Sequence, residues 1–136
     1  MEQFILDIYT PYGHYLSDKV DFVSLKSEKY NLGLLAGHAD IISTIALGQI
    51  MIQKGENKDL YATSGGILRI DKGHVSLLLE TIESVDEIDL DRAIKAKERA
   101  ENRLLNKDIE TISVTSSKLA LDRAINRINT KKGIDQ

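Results

Sequence analysis

Cysteine is missing from this chain, so a disulfide scaffold and a cysteine-ligated zinc site are both excluded, and no covalent staple holds the fold. Tryptophan is missing too, and Phe4 and Phe22 are the only phenylalanines. The core must therefore be largely aliphatic. There is no excess of positive charge: a net charge of -3 and an isoelectric point near 5.6 argue against a general nucleic-acid binder, although local basic patches remain open. No apolar run approaches the roughly 20 residues of a membrane-spanning helix, and Met1-Glu2-Gln3 lacks the basic start of a signal peptide. These absences describe a soluble chain that stays where it is made.

Several catalytic patterns are absent as well. Neither a Walker A loop nor a Gly-x-Gly-x-x-Gly fingerprint occurs, so a bound nucleotide would not sit in a glycine cradle, and hydrolysis by this chain is not expected. His14, His38 and His74 have no i, i+4 partner and no carboxylate at a known ligand spacing, which makes them turn or surface residues and leaves no metal site. Ser64-Gly65-Gly66 puts a hydroxyl before two glycines, but the Gly-x-Ser-x-Gly elbow around a nucleophile is missing. The segment reads as a tight turn, and an esterase-like use of Ser64 ranks last among the functional readings.

What is present first is alternation. With 136 residues there is room for one ordinary domain, or a small domain with an appendage, burying about 60–70% of its unfolded surface. Phe4, Leu6 and Ile8 alternate with Ile5, Asp7 and Tyr9, the period of two expected when one strand face meets a core. Thr10-Pro11-Tyr12-Gly13 turns the chain. Similar runs follow at 20–26, 31–35, 41–45, 49–53, 60–63, 67–70 and 74–82, separated by turns such as Gly55-Glu56-Asn57-Lys58 and Asp71-Lys72-Gly73. This spacing predicts an antiparallel sandwich or barrel that folds without the remainder of the chain.

The stretch from Glu83 to Arg92 is a boundary. Asp86 and Asp89 both suit a helix N-cap, and Ile88-Asp89-x-x-Arg92-Ala93 sets an acid and a base three residues apart on one face of a first turn. Beyond it the chain is rich in Ala, Lys, Glu and Arg, with no glycine until Gly133, which predicts a helix over 89–105. A turn is expected near 106–108. A second helix then starts at Thr111 or at Ser117 and runs to Ile128, with Leu121, Ala124, Ile125 and Ile128 on one face. Helices this short are marginal alone in water, so the hairpin needs support from the sandwich, a ligand or another subunit. Such an element is suited to a two-state switch. Arg99 and Arg103 stand at i, i+4 on the first helix, and Arg123 and Arg127 on the second; folded together they could present several guanidinium forks, which match phosphate geometry. The alternative is a solvated basic face balanced by Glu98, Glu101 and Asp122.

Five segments stand in a specific order: Thr10-Pro11-x-Gly13, Leu32-Gly33-Leu34-Leu35-x-Gly37-His38-Ala39, Ser64-Gly65-Gly66-Ile67-Leu68, Ile88-Asp89-x-x-Arg92-Ala93 and Arg123-Ala124-x-Asn126-Arg127. With them the chain, over essentially its full length, resembles the nucleotide-binding epsilon subunits of bacterial F-type ATP synthase. The resemblance implies an N-terminal antiparallel β-sandwich over 1–86 and a C-terminal antiparallel two-helix hairpin over 87–136. It implies a non-catalytic central-stalk subunit that couples proton-driven rotation to ATP synthesis and restrains ATP hydrolysis through the hairpin. ATP would be a regulatory ligand without a required metal, bound through Glu83, Ile88, Asp89, Arg92, Arg99, Arg123 and Arg127. In the family the acid and arginine at the hinge lie toward adenosine, and arginines of the two helices reach the phosphates.

The implied partners are the gamma subunit and the c-ring, held by the sandwich, and the alpha/beta catalytic head when the hairpin is extended. No nucleic acid is implied, and association with the cytoplasmic side of the cell membrane is peripheral, through the complex only. Leu32, Gly33, Leu34, Gly37 and His38 are the expected partner contact, since the leucines exceed what a free loop needs and the glycines permit close backbone approach. Without the family the same stretch reads as a strand with its turn. The chain also departs from the family's Pro-Gly-His-x-Pro at this point, having Ala36-Gly37-His38-Ala39-Asp40, which implies a softer loop. A free-standing nucleotide sensor acting on an unrelated protein is the rival reading.

Overall fold

In the computed structural model, which describes residues 2–106 and 111–134, ten strands precede two helices. The strands are β1 (Phe4–Thr10), β2 (Gly13–Val20), β3 (Phe22–Lys26), β4 (Asn31–Leu34), β5 (Ile41–Ile45), β6 (Gly48–Lys54), β7 (Asn57–Thr63), β8 (Gly66–Asp71), β9 (His74–Leu79) and β10 (Ile82–Ser84); the helices are α1 (Leu90–Leu105) and α2 (Thr111–Lys132). One sheet has the order β2-β1-β9-β8-β5 and the other β10-β7-β6-β3-β4. Together they form the expected sandwich. Its pairings are antiparallel apart from β1 with β9, which run parallel with Leu6 opposite Val75 and Tyr9 opposite Leu78.

The inward residues of the two sheets meet in one aliphatic core, with Leu6, Ile8, Leu25, Leu34, Ile50, Leu68 and Leu77 fully buried. Each contributes roughly 1.5–3 kcal/mol by leaving water, and their alternation with exposed neighbours fixes the register, because a one-residue slip would turn them outward.

Three details differ from the sequence reading. β2 is a full strand where none was expected: it is an edge strand, so its polar residues face solvent and give no apolar alternation. The β6–β7 hairpin turns on Gly55-Glu56 alone, and Asn57 and Lys58 already pair with Lys54 and Gln53. The run 74–82 divides into β9 and β10, strands of different sheets.

Ser64-Gly65-Gly66 is the point where the chain passes from one sheet to the other. A Cβ on Gly66 would lie 1.9 Å from the carbonyl oxygen of Leu78, so the glycine is required by the neighbouring backbone. Beyond β10, Ser84 and Glu87 form a capping box: the Ser84 amide donates to Glu87 Oε1 (3.0 Å) and the Glu87 amide to Ser84 Oγ (3.3 Å). Asp89 then caps α1, accepting from the Arg92 amide at 3.1 Å. Of the two aspartates expected to cap, Asp89 does so, while Ser84 rather than Asp86 caps the turn before it.

The second helix takes the earlier of the two expected starts, at Thr111, and runs past Ile128 to Lys132. It ends in a Schellman motif: Gly133 has φ +71°, the Ile134 amide donates to the Asn129 carbonyl (2.8 Å) and the Gly133 amide to that of Thr130 (3.1 Å). Ala93 and Ala100 of α1 and Ser117 and Ala124 of α2 are buried, so small side chains let the helices approach closely.

Gly66→Ala should cost about 3 kcal/mol or more, above the usual range for overpacking because the clash is with rigid backbone. Urea unfolding followed by circular dichroism should show it as a lowered midpoint; a change below about 1 kcal/mol would mean that the sheets yield at this crossing.

Candidate functional site

The hairpin lies on the outer side of the second sheet, where α2 runs over β6 and β7. One buried side chain fixes it there. Asn126 Nδ2 donates to the carbonyl of Gly48 at 2.8 Å and to that of Thr63 at 3.2 Å, the paired residues that close the β6–β7 ladder. Ala124 is buried as well, and Thr130, also buried, donates to the Asn126 carbonyl at 2.7 Å. Two further contacts tie the end of α2 down: Lys131 Nζ donates to the Val85 carbonyl, and Gln49 Nε2 to that of Ile134, both at 2.7 Å.

Beside this lock a cleft of about 190 Å³ opens between sandwich and helix, lined by Thr63, Ser64, Thr81, Glu83, Arg123, Asn126 and Arg127. Three of the expected site residues meet here. Arg127 and Glu83 form an ion pair in which Nη2 donates to Oε2 at 3.1 Å. Nε lies 2.8 Å from Oε1, but its hydrogen does not point at that oxygen, so the hydrogen bond runs through Nη2. Arg123 is held more loosely, 4.0 Å from Glu80 and half-exposed. Asn126 Oδ1 is buried without a donor. A guanidinium carries five N–H groups, so both arginines keep donors for an anion.

The remaining expected residues lie along α1. Ile88 is buried. Asp89, Arg92 and Arg99 line a shallow hollow on the exposed side of α1, together with Asp91, Lys95, Glu98 and Asn102. The two groups are therefore separate surfaces in this structure. Ala96, Ala100 and Arg103 face Ser117 and Ala120 across the helix pair, a register that sets the first turns of α1 near the Ala124–Ile128 part of α2.

The expected partner segment is divided by burial. Leu34 is fully buried and Leu32 packs against the core, so their apolar character serves the sandwich. A Cβ on Gly33 would meet the Phe22 ring at 3.0 Å; this glycine admits an aromatic side chain. Gly37 has φ +79° in the turn after β4, and the side chains still presented outward there are the exposed Leu35 and the half-buried His38.

His14 and His74 are exposed, as the sequence suggested, but they share a partner. His14 and His74 both place Nε2 on the carboxylate of the buried Asp7, at 3.0 and 2.5 Å. Sequence spacing could not reveal this cluster, because it depends on the β1–β2 bulge and the parallel β1–β9 pairing. Asp7 is held below the usual aspartate range by a hydrogen bond from Ser17, opposed by burial, with the two imidazoles adding to the lowering. Ser64 Oγ pairs with Thr81 Oγ1 at 2.7 Å, so no serine–histidine contact supports a nucleophile.

The linker is clasped to the sandwich. The Tyr15 phenol donates to Glu87 Oε1. Burial first, and then this carboxylate, push the Tyr15 hydroxyl well above its ordinary value. Glu87 is in turn held below its ordinary 4.5 by the Tyr15 hydrogen bond and then the Ser84 amide.

This architecture defines a class: a β-sandwich followed by a clasped helical hairpin, with arginines gathered at the seam. Residues 3–85 match the model of the ATP synthase delta/epsilon chain β-sandwich domain, and residues 86–132 that of the delta/epsilon chain long α-helix domain. The ATP synthase epsilon chain of Desulfitobacterium hafniense is 39% identical over 129 residues, covering 95% of this chain and 96% of that one. That of Bacillus licheniformis is 34% identical over 132 residues, covering 97% and 100%. Among solved structures, a chain of the Euglena gracilis mitochondrial ATP synthase (OSCP/F1/c-ring) superposes with a TM-score of 0.81 at 24% identity, covering 91% of this chain and 78% of that one. A chain of the Tetrahymena thermophila central stalk/c-ring assembly does so at 0.67 and 10%, covering 96% and 97%. The chain belongs to the epsilon-chain family of bacterial F-type ATP synthase.

Replacing Asn126 by leucine, of similar size, should strand two buried carbonyls and weaken α2 docking by about 1–3 kcal/mol. Hydrogen exchange would report it as lost protection in α2 with the sandwich amides unchanged; unchanged α2 protection would remove Asn126 from this role.

The Glu87 clasp should also show a pH dependence. A depressed carboxyl stabilises the native state above its ordinary value near 4.5, and that contribution is lost as pH falls through the lowered native value. Melts of the natural protein and Tyr15→Phe should therefore differ most near neutrality and converge as pH falls below 4.5 and through the lowered native value. A difference independent of pH would assign the effect to the phenol's packing alone.

Proposed function

We propose that this chain is a non-catalytic rotor subunit whose hairpin binds ATP in its compact form and, when extended toward the alpha/beta catalytic head, restrains hydrolysis. The observation that carries this reading is the convergence of Glu83 from the sandwich with Arg123 and Arg127 from α2 at one cleft. These groups are far apart in sequence and meet only while the hairpin is folded back. The cleft alone is smaller than the roughly 300 Å³ at which small-molecule pockets begin, so a nucleotide would occupy it together with the Asp89, Arg92 and Arg99 side of α1. Adenosine is assigned to the Ile88, Asp89 and Arg92 end, and the phosphates to Arg99, Arg123 and Arg127, without a required metal.

The sandwich is assigned the gamma subunit and the c-ring, which would hold the chain peripherally on the cytoplasmic side of the membrane. Its two outer faces differ in a way that supports this. The second sheet is partly covered by α2, whereas the first exposes Ile5, Tyr9, Ile42, Ile67 and Leu78. Tyr9, Leu78 and Ile67 are successive neighbours across β1, β9 and β8, so they make one apolar row open to a stalk partner.

Calorimetry of the whole chain with ATP, ADP and GTP tests the ligand. ATP should bind, Arg123→Ala or Arg127→Ala should weaken it about tenfold or more, as expected for losing a charge-assisted hydrogen bond of about 1.5–3 kcal/mol, and Asp89→Ala should reduce preference over GTP. In a reconstituted head, ATP should relieve the restraint on hydrolysis by favouring the compact state by about 2.7 kcal/mol at 100 times its dissociation constant. Absence of ATP binding, or binding indifferent to both arginines, would leave these side chains as a solvated face.

A further inference from the structure

The Arg99–Arg103 pair is only half used by the reading above, since Arg103 has no part in it. Both guanidinium groups stand at the rim of a second cleft, of about 210 Å³, between the two helices; Ala96 and Ala100 of α1 and Ser117 and Ala120 of α2 complete it. Two observations at this cleft point to a ligand. Among the described residues neither arginine has a carboxylate within ion-pair distance; Arg99 donates through Nε to the Lys95 carbonyl at 3.4 Å. Like charges at i, i+4 repel, so the pair costs stability unless an anion is shared. The second observation is Ser117: it is 1% exposed, lines the cleft, and its hydroxyl has no hydrogen-bond partner. A buried hydroxyl without a partner is a cost that an acceptor in the cleft would remove.

We propose that the inter-helix cleft is a binding site for a tetrahedral phosphoryl group, held by the Arg99 and Arg103 guanidinium groups at the rim and the Ser117 hydroxyl at the floor. The three alanines leave room for the group without contributing recognition of their own. Guanidinium forks suit its equatorial oxygens, and the Ser117 O–H supplies the donor that an oxyanion accepts. Because two donors come from α1 and one from α2, the ligand bridges the helices and binds only when they are packed together. The site shares Arg99 with the proposed nucleotide position but uses neither Glu83, Asn126, Arg123 nor Arg127, so it does not require the cleft at the sandwich to bind ATP.

The source of the group is free phosphate or the terminal phosphate of a nucleotide, and titrations of the full chain with inorganic phosphate and, separately, ATP distinguish them. At constant ionic strength set with chloride, inorganic phosphate should bind saturably in the millimolar range and raise the melting temperature. Arg103→Gln should weaken that binding about tenfold, and Ser117→Ala several-fold, while Arg69→Gln, which removes an exposed charge from β8 of the first sheet, leaves it unchanged. If phosphate does not bind but Arg103→Gln and Ser117→Ala both weaken ATP by those factors, the group is the nucleotide's own and the site stands. Ser117→Ala should not destabilise the ligand-free chain, since it removes an unpartnered hydroxyl, so a weakened titration cannot be ascribed to misfolding. The proposal is overturned if neither titration responds to both substitutions, if Arg103→Gln acts while Ser117→Ala does not, as a general charge effect would, or if Arg69→Gln weakens phosphate binding as much as Arg103→Gln does.

Discussion

The compact form of this protein turns on one primary amide. Asn126 spans the carbonyls of Gly48 and Thr63, and with it the last pair of the β6–β7 ladder becomes a docking point for α2. The surrounding contacts are individually weak: alanines that bury little area, a partly exposed ion pair whose worth in water is modest, and lysine and glutamine donors to two carbonyls at the linker and helix end. A hairpin held in this way is specific in position without being strongly held. The sandwich beneath it has its own aliphatic core and, among the described residues, takes none of its fully buried large aliphatic side chains from the helices. That division leaves the packing of the sandwich core independent of how the helices are held.

Much of the sandwich was legible from alternation alone, because its inner positions are aliphatic and its turns carry glycine or polar residues. What was not legible follows from where strands lie in the sheets. β2 is at an edge, with solvent on its outer side, so its sequence carries little of the pattern that marks a strand. The parallel β1–β9 pairing joins residues distant along the chain and leaves no local trace. The Ile112–Ser117 stretch is β-branched and serine-rich, features that favour a late start for the second helix; α2 nevertheless begins at Thr111, so this weak propensity does not delay the helix.

The seam was legible unevenly. Arg123, Arg127 and Glu83 could be named from their motif, and they do gather. Asn126 stood in the same motif without a role, because a polar residue between helix formers looks like surface until the two carbonyls it serves are seen. The leucines at 32 and 34 show the opposite error: an apolar pair beside glycines suggested an interface, and the core accounts for it. Tyr15 gave no signal, since its partner Glu87 lies across the whole sandwich in sequence. The acidic stretch around Asp89 was read as a hinge, and in the structure it is ordered by two successive caps and by the Tyr15 phenol on Glu87.

The parallel pairing of β1 with β9 has a consequence for biosynthesis. As the chain leaves the ribosome, β1 can form a hairpin with β2 at once, but its other edge stays open until Val75 to Leu78 have been made. At about 5–20 residues per second, that edge is exposed for several seconds, carrying Phe4, Leu6 and Ile8 with no opposing sheet to cover them. During translation β1 therefore presents an open edge, although in the finished molecule it lies between β2 and β9.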